Sequence, residues 1–527
     1  MTTTASIHRS PLAAPPIEPA VAVAALRHAA GDPTAVAVID GATGETVTRG
    51  ELAARSAAIA AGLRERGIGR GDLVAIAMPN FAWWPVVAMG VWRTGAAIEP
   101  LSPLWTADES ARVLQRAMPS LAVAFAPVAP AVGEALRAAA PDVQLVVAGG
   151  DAPLEEQLAG DPGDPYAEPD LSPTDLAAVP FSSGTGGLPK GVRLTHGNLA
   201  AGAAQAIVTL STGGPLDADA VVLAAAPFFH SIGLTLLLCG GLVAGATIVT
   251  VPIPKLDAIV PLAAAHGVTH MAIPPPVFEA MATSALLDEH DLSSIRSLVT
   301  GGAHVTPGVE DGLSDRLGCM ARSGYGMTEC TCTISAPLGR MSTAGTVGWL
   351  VPGTEARLID PETGADADGD EPGELWVRGP QVMEGYHGLP EETAACVTPD
   401  GWLRTGDLVQ IRADGQLEIR DRFKELIKVS GASVAPAEIE LVLREHPAVS
   451  DAGVIGVPDS TRGEAPMAFV ALAAPAEPDE LAQFAAARLA GYKHPREVVV
   501  VDDLPRSPTG KLLRGALRER AAMAARA

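Results

Sequence analysis

Short apolar runs alternate with amphipathic stretches along most of the chain. Residues 35–40 form a strand-like run, and residues 46–49 read as its hairpin partner across Gly41-Ala42-Thr43-Gly44. Residues 51–66 carry a helical apolar period, and 73–78 is the continuous apolar run that a strand buried on both faces requires. A helix over 83–94, an extended segment over 96–100 and strands over 120–125 and 143–147 continue the alternation, which predicts an α/β fold with layered helices and strands. A strand over 269–273 is expected to stop at Pro274, Pro275 and Pro276, because three residues without a backbone donor cannot extend a ladder. Residues 297–300 form another strand, and strands over 355–359 and 374–378 flank a Gly/Asp-rich turn. Beyond Asp421-Arg422-Phe423-Lys424 the pattern becomes a compact α+β alternation, with helices over 436–445 and 478–489 and strands over 452–457, 467–472 and 497–501. The expected organisation is a loose arm at 1–20, a large multi-lobed domain at 21–423 and a small α+β domain at 424–527.

Composition narrows the function. The 527 residues are 48% hydrophobic, ample for more than one core, and 37 basic against 61 acidic residues leave a net charge of −24. No basic run tracks a phosphate backbone, so nucleic acid is not expected as a partner. Such a surface also repels anionic substrates, so a site for them must supply its own cations and amides. Residues 220–254 carry no Asp, Glu, Lys or Arg and could span a bilayer by length, but proline, histidine and four glycines interrupt them. A buried strand, a core helix and a second strand are expected there. Five cysteines without CxxC spacing predict reduced thiols, and no signal-peptide apolar region opens the chain, so a cytoplasmic location is expected.

The richest chemistry lies at 175–198, which reads as a strand, a glycine-rich hydroxyl loop and a second extended segment. Ser182, Ser183 and Thr185 supply hydroxyl donors. Gly184, Gly186 and Gly187 remove the Cβ atoms that would keep backbone N–H groups from an anion, and Lys190 adds a mobile positive charge at the exit. This is a phosphate cradle whose spacing fits neither the P-loop nor the dinucleotide fingerprint. Further on, Gly301-Gly302-Ala303 lets a flat ring lie against backbone. In Ser323-Gly324-Tyr325-Gly326-Met327-Thr328-Glu329, Tyr325 offers an aromatic face and Glu329 a hard oxygen ligand, which suits a purine and a magnesium ion. Asp407 follows Gly406 where a carboxylate could hold two ribose hydroxyls; a solvated loop aspartate is the competing reading.

In this order, and with Pro227-Phe228-Phe229-His230, Val434-Ala435-Pro436-Ala437-Glu438-Ile439-Glu440 and Pro505-Arg506-Ser507-Pro508-Thr509-Gly510-Lys511, the motifs resemble the adenylate-forming superfamily, in particular its 4-coumarate–CoA ligase and luciferase branch. The resemblance implies an enzyme that makes an acyl-adenylate from a carboxylic acid and ATP with Mg²⁺ and passes the acyl group to CoA. It implies that Ser182 to Lys190 hold the β- and γ-phosphates, that Gly301 to Ala303 and the Gly324 to Met327 turn with Tyr325 sandwich adenine, that Thr328 touches the α-phosphate, and that Glu329 binds Mg²⁺. It implies further that Asp407 holds the ribose with Arg422 nearby, and that Lys511 bridges the acid's carboxylate and the α-phosphate. Lys424 resembles the hinge on which the small domain turns, Gly431 the residue that lets pantetheine pass, and Lys428 a lysine of the second step. His230, Ser231, Ile232, Gly233, Gly302, Ala303, Ser323 and Val347 are the implied acid pocket, for an aromatic or medium-length acid. His230 either gates or contacts the carboxylate, or is a buried histidine with a satisfied hydrogen bond.

Departures from the family pattern bear on the acceptor. Gly186 stands where a second hydroxyl is usual, and Ser430, Ala432 and Ser433 replace a frequent lysine, aromatic and glutamine. Transfer to a carrier-protein thiol or another nucleophile therefore stays open, as does a non-catalytic nucleotide or acyl-AMP binder, against which Glu329, Asp407 and Lys511 together argue. Cys330 and Cys332 are expected to be small apolar wall residues. A homodimer is entertained, with nothing in the sequence that decides it.

Overall fold

The computed structural model describes residues 7–182, 189–303, 305–360, 363–367, 371–422, 425, 427–429, 432–459, 461–489, 491–506 and 512–524. Two largely parallel sheets form the bulk of residues 21–324. In the first, Leu73–Ala77 lies between Ala97–Pro100 and Leu121–Phe125, all parallel, with Gln144–Ala148 beyond Leu121–Phe125. On the other side come Leu176–Ala178, then Lys190–Thr195 and Gly385–Tyr386, the last two joined antiparallel. All five residues of Leu73–Ala77 are buried, as its unbroken apolar sequence demands. The second sheet runs Met320–Gly324, Ser297–Gly301, His270–Ala272, Val221–Ala224, Thr247–Thr250, Val36–Asp40 and Thr46–Thr48, parallel except for the terminal hairpin.

Local signals set the helix starts. Thr48 and Glu51 form a capping box, so the helix Arg49–Glu65 begins at Arg49 rather than at residue 51. Thr195 and Asn198 form another, and the helix His196–Leu210 opens at His196. The extended segment expected to reach residue 198 therefore ends at Thr195. The prolines after His270–Ala272 do end that strand, and Pro275 then opens the helix Pro275–Thr283, its missing donor costing nothing in the first turn. The charge-free stretch folds as Val221–Ala224, the π-helix Ile232–Cys239 continued by the α-helix Gly240–Ala244, and Thr247–Thr250. No helix among the described residues is long and apolar enough to cross a membrane.

A third, antiparallel sheet contains Glu355–Ile359, Gly373–Arg378, Leu403–Ile411 and Leu417–Arg422. Its edge is His8–Arg9, where His8 faces Ala356 and Arg9 pairs with Glu355, so these two residues of the expected arm are docked there. Residues 427–501 form a separate five-stranded sheet with its own core, Ile427, Val429 and Val434 packing on Ile439, Leu443 and Leu481.

The two parallel sheets are tied at one buried amide. Asn80, just past Leu73–Ala77, donates from Nδ2 to the carbonyls of Ala224 and Ala226, both at 2.9 Å, and accepts the Phe228 N–H at 2.8 Å. The chain between Val221–Ala224 and His230 is thereby held on the first sheet.

Candidate active site

The site gathers where strands of the second sheet empty toward the third. Gly301 and Gly324 end neighbouring parallel strands and stand opposite one another in register. Past Gly324 the chain folds back so tightly that a Cβ on Gly326 would lie 1.5 Å from the Cys332 carbonyl oxygen. Between the glycines, Tyr325 donates its hydroxyl to Asp407 Oδ2 at 2.5 Å. Burial, reinforced by the Asp407 charge, pushes the phenol well above its usual range, so it remains a protonated donor. Asp407 is 3% exposed and lies inside the strand Leu403–Ile411, its N–H bonded to Thr405 Oγ1. That placement overturns the solvated-loop alternative.

Glu329 sits in the short 3-10 turn Thr328–Cys330 and is 6% exposed. Its Oε1 accepts the Tyr386 hydroxyl at 2.8 Å, and no described residue bonds its other oxygen. Tyr386 stands opposite Val192 of Lys190–Thr195, the strand that leaves the glycine-rich loop. Lys190, expected as a mobile charge, is ion-paired in this structure. Its Nζ lies 2.6 Å from Glu392 Oε2 and 4.9 Å from the centre of the Tyr386 ring. At the loop's entrance the Ser182 hydroxyl is buried without a hydrogen-bond partner among the described residues, as a group awaiting a ligand would be. Among the described residues no cluster of three His, Cys, Asp or Glu could hold a metal. One hard carboxylate oxygen at Glu329 nonetheless suits Mg²⁺, which takes one or two carboxylates and completes its shell with phosphates and water.

The implied acid pocket begins at the π-helix. Gly233 opens it so close to the preceding turn that a Cβ would stand 2.1 Å from the Pro227 carbonyl oxygen. His230 Nε2 is buried with no hydrogen-bond partner among the described residues, and burial lowers the imidazole to about 4, leaving it neutral. Ser231 lies against the Cys332 thiol, which burial raises to about 12, and Cys330 is raised well above its usual value by the same cause. Both are buried. Ser323 donates its N–H to Glu310 Oε1 at 2.7 Å, and half-buried Val347 bonds the Leu417 carbonyl.

Residues 26–387 match the AMP-binding enzyme family, and residues 438–511 match the AMP-binding enzyme C-terminal domain. The chain belongs to the AMP-binding enzyme family. It is 37% identical over 500 residues to a 4-coumarate–CoA ligase 5 of Oryza sativa subsp. japonica, covering 92% of this chain and 91% of that one. ATP-bound MatB from Rhodopseudomonas palustris superposes with a TM-score of 0.86 at 29% identity, over 95% of this chain and 98% of that one. A benzoate CoA ligase from Burkholderia xenovorans LB400 gives 0.84 at 29% identity, over 95% and 99%.

In this AMP-binding enzyme the described site residues fall into three contacting groups: Tyr325 with Asp407, Glu329 with Tyr386 and Lys190, and Ser231 with Cys332. Ser183, Gly184, Thr185, Gly186, Gly187, Lys424, Gly431 and Lys511 lie outside the described residues. Arg422 is placed by its backbone opposite Asp407, and Lys428 opposite Ser433. Tyr386 was not singled out from sequence. The chain has only four tyrosines, and two of them bond site carboxylates, so tyrosine scarcity beside Gly385 was the available signal.

Proposed function

We propose that this AMP-binding enzyme is an ATP-dependent acid–CoA ligase, acting on an aromatic or medium-chain carboxylic acid. The observation that carries the reading is the pair of carboxylates, Asp407 and Glu329, each held by a tyrosine hydroxyl beside the Gly301/Gly324 strand ends. Its likeness along 92% of the chain to a protein named 4-coumarate–CoA ligase supports the choice of acceptor.

In this reading Gly301, Gly302 and Ala303 with Tyr325 take the adenine. Asp407, already fixed by Tyr325, accepts from the ribose hydroxyls with Arg422 nearby. Ser182, Ser183 to Gly187 and Lys190 hold the β- and γ-phosphates, Lys190 leaving Glu392 to do so, and Thr328 meets the α-phosphate. Glu329 would hold Mg²⁺, which when bound offsets phosphate charge. The acid sits against Ser231, Ile232, Gly233, Ser323 and Val347, and His230 offers it an uncharged Nε2. The acid's carboxylate oxygen attacks the α-phosphorus and pyrophosphate departs. Two anions must approach, so Lys511 supplies the cation that stabilises the charge developing between them, a contribution of about 3–4 kcal/mol for one well-placed donor. The CoA thiol then attacks the acyl carbonyl and AMP leaves, with Lys424 as the hinge of residues 424–527, Lys428 serving this step and Gly431 lining the pantetheine path. Five free thiols support a reducing, cytoplasmic setting.

The test is acid-dependent pyrophosphate release with ATP and Mg²⁺ over cinnamic, benzoic and straight-chain acids, with and without CoA, products being identified by mass. Formation of the acyl-CoA from one acid class is expected. Acyl-AMP that accumulates and ignores CoA would overturn the acceptor, and no pyrophosphate with any acid would overturn the adenylation.

A further inference from the structure

A carboxylate that must present one oxygen to a ligand needs its other oxygen and its backbone held, or it turns away. Glu329 is held in this way by a single segment, residues 381–386. Its carbonyl accepts the Met383 N–H at 2.9 Å. Two residues on, Thr331, in a left-handed conformation at φ 49°, donates its hydroxyl to the Gln381 carbonyl at 2.6 Å. The segment ends at Tyr386, whose hydroxyl reaches back to Oε1 of Glu329 at 2.8 Å. A left-handed threonine costs about 1–2 kcal/mol, which a buried bond to Gln381 helps to offset.

Tyr386 is itself fixed from three directions. Its N–H donates to Thr393 Oγ1 at 2.8 Å, its backbone lies opposite Val192, and the Lys190 ammonium sits over its ring. A cation on the ring face is attracted to the π-system and, by withdrawing electron density, makes the phenol a stronger hydrogen-bond donor.

We infer that Tyr386 is a positioning residue: by occupying Oε1 of Glu329 it leaves the other carboxylate oxygen as the ligand for a divalent cation carried on the nucleotide's phosphates. The inference rests on the proposed role of Glu329 as the Mg²⁺ ligand. It adds a physical link, through the Tyr386 ring, between that carboxylate and the lysine at the exit of the phosphate loop.

The experiment uses the full chain and reads binding, not turnover. ATP affinity is measured by calorimetry across Mg²⁺ and Mn²⁺ series for wild type, Tyr386→Phe and Glu329→Gln, with bound Mn²⁺ followed by electron paramagnetic resonance. Tyr386→Phe keeps the ring beneath Lys190 and removes one hydroxyl. The metal concentration for half-maximal ATP binding is expected to rise roughly 10-fold, as losses of partners bonded to metal ligands do, while ATP affinity without metal stays unchanged. An unaltered metal dependence in Tyr386→Phe, with Glu329→Gln shifted, overturns the inference alone. An unaltered dependence in both variants overturns the metal assignment and the inference with it. Equal weakening with and without metal also overturns it, because Tyr386 would then shape the pocket only. Should Tyr386→Phe fail to fold, Thr393→Val, which removes the acceptor that fixes the Tyr386 backbone, is read by the same titration. A smaller shift in the same direction is expected from it, and no shift overturns the inference.

Discussion

The hydroxyl of Tyr325 lies 2.5 Å from the carboxylate of Asp407, a residue 82 positions further along the chain. A hydrogen bond to a charged group contributes about 1.5–3 kcal/mol, and here it also fixes the carboxylate's orientation. Tyr325→Phe is expected to weaken ATP binding about 10-fold, near the lower end of that range, with little change in the KM for the acid. Calorimetric ATP titration checks this, and an unchanged affinity would detach the pair from the nucleotide.

Gly233→Ala places a methyl group 2.1 Å from the Pro227 carbonyl oxygen, backbone against backbone, where no side chain can turn aside. The π-helix must shift, carrying His230 and Ser231 with it. Overpacking of this kind costs about 1–3 kcal/mol, so a lower melting temperature and a raised KM for the acid should appear together. A variant that loses stability but keeps its acid KM would separate this helix from the acid pocket.

Glu99 is fully buried in the strand Ala97–Pro100, and among the described residues neither carboxylate oxygen has a hydrogen-bond partner. Desolvation raises its pKa well above the usual carboxylate value. The native state therefore holds this proton more tightly than the unfolded chain. Stability is undiminished at pH below the unfolded value of 4.5 and falls as pH rises above it. Glu99→Gln should raise the melting temperature at pH 7.5 and leave it nearly unchanged at pH 4. An equal effect at both would show that the carboxyl's ionisation is not the cause.

His196 works in the opposite direction. Fully buried, with neither ring nitrogen bonded among the described residues, its imidazole is lowered by burial from 6.5 to about 4, Asp175 opposing and Arg70 adding to the shift. Below pH 6.5 the unfolded chain binds a proton that the native state refuses, so stability is complete above that pH and is lost as pH falls toward 4. The loss amounts to roughly 3 kcal/mol. His196→Phe should flatten the acid limb of a urea-unfolding series by about that amount.

The parts of the fold legible in sequence were those where one physical cause acts locally. The run 73–77 is buried on both faces and reads so, and the strand Glu497–Val501 falls where its apolar alternation places it. The helix His196–Leu210 escaped because its start depends on a Thr195/Asn198 capping box, a short polar signal at the end of a strand-like run. Asp407 looked like a loop residue because Gly406 suggests a turn, yet cross-strand pairing with Gly373–Arg378 and Leu417–Arg422 keeps it in a sheet. The glycine, tyrosine and acidic residues of the site were readable as types. What holds them was not, since Tyr386 lies 57 residues from Glu329 and Glu392 lies 202 from Lys190.

The three hydrogen bonds of Asn80 set a limit on how the proposed acid pocket can be reshaped. The segment that delivers His230 takes its bearings from the first sheet, through one buried side chain. Swapping residues 231–233 for those of another acid specificity keeps that anchor, and the new lining is presented at the old angle. Changing Asn80 moves the whole wall at once and strips partners from two carbonyls and an amide. Selectivity in this chain can therefore drift residue by residue within a fixed frame, whereas a different frame requires rebuilding the seam between two sheets.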